Sequence, residues 1–144
     1  MSLRKRSRKQ LLKLKPSLDE WVYRMEQPAY IDSDPIQFLH AFQDANNINV
    51  AGFFTATMAW GKRSIVIAKV DDFLSRMSYK PVEFIGNFTE SDFEYLKGFK
   101  HRTFNDEDMY WLIKTIQSIL KKHQSFESFW MDWMVLINQY MSSS

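Results

Sequence analysis

Two short stretches combine residue types that could hold an anion. The first is Gly61-Lys62-Arg63-Ser64, inside "MAWGKRSIVIAKV". Apolar helical patterns lie on both sides, so Ser64 is expected to cap the second helix, with Lys62 and Arg63 just outside its N-terminus. Cations there oppose the positive end of the helix dipole, at a cost of a few tenths of a kcal/mol up to about one each. An anion reverses the sign, because free N–H groups, a hydroxyl and two cations would all face it. Phosphate is the obvious partner; the alternative is two side chains extended into water. The second stretch is Lys100-His101-Arg102 in "FKHRTFN", flanked by Phe99 and Phe104. Basic residues alternating with aromatics on a connection suit phosphate contact and base stacking. They equally suit a pinned loop with both phenylalanines buried and Arg102 bound to carbonyls.

Other chemistry is not encoded in recognisable form. The chain has no Cys, which removes disulfides, thiol catalysis and thiolate metal sites together. His40, His101 and His123 are far apart, and no HxxxH or HExxH spacing occurs, so no metal site is expected. Four scattered glycines build neither a Walker loop nor GxGxxG, and GxSxG is missing, so no cofactor is expected. Asp32/Asp34 and Asp71/Asp72 read as cap and surface acids rather than acid–base pairs. His40, in "FLHAF", reads as a hydrogen-bonded, half-buried histidine. An enzyme acting on a small molecule would look first to His40 or His101. No residue is assigned a catalytic role.

The bulk composition narrows the class. Over 144 residues, 45% are hydrophobic and 16% aromatic, which excludes a disordered chain and allows one real core. Four Gly and four Pro are too few for an all-β design with many tight turns. The net charge of +2 hides an asymmetry: residues 1–15 carry seven Lys or Arg and no acid, leaving 12 basic and 17 acidic residues elsewhere. Such an arm can touch phosphate, an acidic surface or only water. No apolar stretch follows it as in a secretory signal, and the longest uncharged apolar run, Val50–Trp60, is too short to span a bilayer. A cytoplasmic protein with no membrane partner is the expectation.

The elements that must position the two basic stretches are helices. Leu18, Trp21, Val22 and Met25 recur at helical spacing, with Pro16 suited to the first turn and Pro28 to a stop. Asp34 and Pro35 predict the cap and first position of a short helix to about Phe42. Ile48–Trp60 is apolar nearly all round and predicts a central buried helix, with Gly52, Thr55, Ala56 and Ala59 as a small stripe for close packing. Val66, Val70, Phe73, Leu74 and Met77 define the buried face of the next. Pro81 starts a short helix, Thr89 and Asp92 form a capping box, and Gly98 ends the segment. Asn105 caps a helix with three acids in its first turn and Lys121, Lys122 and His123 in its last. Met109, Leu112, Ile113, Ile116, Ile119 and Leu120 are its apolar stripe. Ser125 caps a final helix carrying Phe129, Trp130 and Trp133. That helix either docks on this domain or waits for a protein partner, or for a missing C-terminal half beyond Ser144.

Taken together, "YIDSDPIQFLHAF", "NINVAGFFTATMAWGKRSIVIAKVDDFL", "YKPVEFIGNF" and "FKHRTFNDEDMYWLI" resemble the N-terminal part of an uncharacterised bacterial family, the one called domain of unknown function 2400. The family implies no activity. More faintly, the order of elements is similar to the N-terminal helices of helix-hairpin-helix DNA glycosylases. That resemblance implies that Trp60-Gly61-Lys62-Arg63 lies near DNA, and no catalysis by this chain alone, since no LPGVG-like hairpin is present.

The expectation is therefore an all-α single bundle of about seven helices: a basic arm over 1–15 and a helical domain over 16–144 that is incomplete at its C-terminus if the last helix finds no cover. Lys62, Arg63, Ser64, Lys100, His101 and Arg102 are the candidate DNA contacts. Phe129, Trp130 and Trp133 are the candidate protein interface.

Overall fold

The computed structural model describes residues 8–142; the charged residues of the arm before Arg8 lie outside the described residues. The chain divides between Asp34 and Pro35 into two compact units.

The first unit holds α1 (Arg8–Met25) and a 3-10 turn at Pro28–Ser33. Helix α1 runs straight through Pro16, which therefore does not start it. Proline removes one N–H from the ladder and leaves the Leu12 carbonyl without its helical partner. Leu12 is exposed, so water can take that place. Ion pairs Lys15–Asp19 at 2.5 Å and Arg24–Glu20 at 2.7 Å run along the helix surface and contribute little. The stop before Pro28 falls where the sequence places it. The following helix begins at Gln37 with Ile36 at its cap position, two residues after Asp34, and the Asp34 backbone N–H closes the 3-10 turn on the Ile31 carbonyl.

The second unit is all helix apart from one small hairpin. Its helices are α2 (Gln37–His40), α3 (Ala45–Met58), α4 (Arg63–Arg76), α5 (Pro81–Asn87), α6 (Phe93–Leu96), α7 (Asp106–His123) and α8 (Phe126–Ser142). Helix α3 touches α2, α4, α5 and α8, so the most apolar segment lies at the centre. It starts earlier than its apolar run because Asp44 accepts from the Asn47 N–H at 2.8 Å and caps it. That N–H and the Asn47 amide hold the Asp44 carboxyl below its ordinary range. The small stripe works in part: α2 closes on Gly52, where a Cβ would meet Leu39 at 3.3 Å, whereas Ala56 and Ala59 are exposed.

Helix α4 buries Val66, Val70, Phe73 and Leu74, the face its spacing predicts. It ends in a reciprocal cap, with Ser78 N–H on the Ser75 carbonyl and Tyr79 N–H on that of Leu74, and Ser78 in the left-handed region at φ 52°. Thr89 and Asp92 form their capping box, but on a 3-10 turn (Glu90–Asp92) that leads into α6. Asn105 caps α7 with Asp108 reciprocating. Helix α7 also buries Gln117, absent from the apolar stripe. Its amide donates to the Ile85 carbonyl at 2.8 Å and the Phe88 carbonyl at 2.9 Å, satisfying the end of α5.

The core runs through a line of aromatic rings. Phe54 on α3 meets Phe73 on α4 edge-on at 4.8 Å, and Phe73 meets Phe99 at 5.2 Å. Phe99 opens the hairpin, β1 (Lys100–His101) and β2 (Phe104–Asn105), paired His101 to Phe104. The sequence reads this segment as a plain connection, since two strands of two residues carry no alternation to detect.

Candidate nucleic-acid interface

The two basic stretches, apart in sequence, meet in the second unit. Helix α3 ends at Met58, and Ala59, Trp60 and Gly61 carry the chain across to α4. The Met58 carbonyl accepts the Trp60 N–H at 2.8 Å and the His101 Nε2 at 3.0 Å, 43 residues on. A carbonyl only accepts, so Nε2 carries the proton. His101 is 2% exposed. It leaves the candidate DNA contacts for that reason: its ring fastens the hairpin to the end of α3 and does not reach solvent.

Arg102 follows as the first residue of the two-residue turn, at φ 56°. That left-handed conformation is uncommon for a residue with a Cβ and costs energy. It turns the side chain back over the join. The guanidinium lies 6.0 Å from the centre of the Trp60 ring. It also fills the space above Gly61, where a Cβ would come within 2.1 Å of Arg102 Nη2. Gly61 is at φ 113°, so the join needs glycine twice, for its backbone and for this close approach. Trp60 is held edge-on by His101 at 6.2 Å and Phe104 at 6.5 Å and stays 43% exposed. The alternative of Arg102 bound to carbonyls does not hold: no hydrogen bond or ion pair to it occurs among the described residues.

The helix starts two residues before the expectation. Lys62 itself occupies the cap position, with an extended backbone and no side-chain cap, and Arg63 begins α4. The Ile65 and Val66 N–H groups both bond the Lys62 carbonyl. Ser64 is therefore inside the first turn and is not the cap, because the chain is already helical one residue before it. Lys62, Arg63, Ser64, Lys100 and Arg102 are all exposed. The structure thus joins Trp60, Gly61, Lys62 and Arg63 to the hairpin tip, with no carboxylate paired to Lys62 or Arg102 among the described residues.

Beside α5 the polar groups pair with one another. A cavity of about 410 Å³ beside α5 is lined by Arg76, Lys80, Glu83 and Asp92. Arg76 is committed to Asp72 at 2.8 Å and to the Tyr95 and Lys97 carbonyls. Lys80 pairs with Glu83 at 3.2 Å. Tyr79 donates to Asp71, and burial together with that carboxylate pushes its hydroxyl up to about 12. Asp71 and Asp72 are surface partners, as expected. His40 is exposed rather than half-buried, because α2 is only one turn long and ends on it. No group of three metal-ligating side chains occurs among the described residues.

The aromatic end of the chain has a second character. Ser125 caps α8 through the Ser128 N–H at 3.0 Å. Phe126 is buried against Phe53 at 5.2 Å, and half-buried Phe129 stacks on it at 6.2 Å. Beyond that first turn α8 is exposed: Trp130 by 45%, Trp133 by 51% and Leu136 by 58%. An open groove of about 510 Å³ runs between Ile48 and Phe53 of α3 and Phe126 and Trp130 of α8. No helix among the described residues is long and apolar enough to cross a membrane.

A family model described as protein of unknown function (DUF2400) matches residues 34–143. No curated protein and no solved structure matches the chain.

Proposed function

The chain belongs to that DUF2400 family, and within it we propose a DNA-binding role, with Lys62, Arg63, Lys100 and Arg102 holding backbone phosphates. The observation that carries the reading is the seating of Arg102 on Gly61. It places a guanidinium beside Lys62 at the start of α4, where a cation opposes the helix dipole and an anion reverses the sign. The Arg102 backbone adopts a strained conformation to reach it. The order of elements, apolar α3, join, α4, short α5 and basic hairpin, supports a scaffold like that of the helix-hairpin-helix glycosylases. In this reading the chain binds and does not itself catalyse.

The test is duplex DNA binding across a salt series. Affinity should fall steeply with salt, and Lys62→Glu or Arg102→Glu should weaken it several-fold and shallow the salt slope by about one. Gly61→Ala, which changes no charge, should also weaken binding by displacing Arg102. Indifference to all three changes would sink the proposal.

A second reading, a protein–protein interface on α8, has its own support in the exposure of Trp130 and Trp133. The two are compatible, since the groove and the Trp60 join are lined by different residues.

A further inference from the structure

We propose that the site prefers single-stranded DNA, with an unpaired base stacked against the Trp60 indole while Arg102 and Lys62 hold its phosphate. The inference rests on the phosphate-binding reading and narrows its substrate. Phosphate contact alone needs cations and no aromatic ring. Here an indole sits among the cations, and it is held as well as exposed. His101 and Phe104 pack against it in T-shaped contacts, ring centres 6.2 and 6.5 Å away, and His101 is itself tied to the Met58 carbonyl. A large apolar ring left 43% exposed on so fixed a support serves as a platform. The guanidinium 6.0 Å from its centre puts the phosphate-binding group next to the stacking surface, as a nucleotide carries both parts. In a duplex the bases already stack on their neighbours and offer no free face to the indole; an unpaired base does.

The experiment compares a labelled oligothymidylate single strand with a duplex of the same length by fluorescence anisotropy. The wild-type chain should bind the single strand about tenfold more tightly. Trp60→Leu should hold the two forms equally, and Trp60→Phe, which keeps a stacking face, should retain most of the preference. Photocrosslinking from a 5-iodouracil strand should map to Trp60 in the wild-type chain, a readout that needs no variant to fold. Equal binding of both forms by the wild-type chain, or a crosslink elsewhere, overturns the single-strand proposal while the phosphate reading stands. Failure to bind either form overturns both.

Discussion

At the scale of single residues, the left-handed positions mark where the chain is bent to a purpose. Arg102 and Gly61 are strained or glycine-dependent at the same point in space, one residue supplying a guanidinium and the other the room for it. Tyr79 is a further case, at φ 53° with its hydroxyl on Asp71. Its folded pKa of about 12 lies above the unfolded value near 10, so the fold holds the proton more tightly. The stabilisation is complete below about pH 10 and is lost as pH rises through 12. Urea midpoints measured from pH 8 to 11.5 should therefore fall more steeply in the wild-type chain than in Tyr79→Phe. Parallel curves for the two would show that Tyr79 carries no such linkage.

At the scale of elements, α8 divides into a docked first turn and an exposed remainder. Phe126 is 3% exposed and packs on Phe53, whereas Trp133 is half exposed. Replacing Trp133 with Glu should leave the melting temperature within about 2 °C, as a surface change does. It should also abolish any self-association seen by sedimentation. Unfolding in response to Trp133→Glu would show instead that the ring belongs to the core. The capping residues were legible beforehand: Asn105, Ser125 and the Thr89–Asp92 box all fall where side-chain oxygens meet free N–H groups. The start of α4 was not, because Lys62 caps it with backbone geometry alone and leaves no side-chain signature.

At the scale of the whole molecule, the line Phe54–Phe73–Phe99 connects the central helix, its neighbour and the hairpin that carries Arg102. Phe73 is fully buried. Phe73→Ala should cost about 3–5 kcal/mol in urea unfolding, a large share of ordinary domain stability. A loss under about 1 kcal/mol would mean that the core closes over the cavity. What the sequence by itself determined is the helical class, the stripe of α4 and of α7, most of the caps and the family. The family follows from the resemblance of four whole segments; the others follow from spacing and from local hydrogen bonding, both of which act within a few residues. Only the tertiary structure decided that the join at Gly61 and the tip at Arg102 are one place, that His101 is a buried clasp, and that Gln117 closes α5. Each depends on a contact between residues far apart in the chain, set by how the helices pack; spacing marks which face of a helix is buried but not which distant residue meets it.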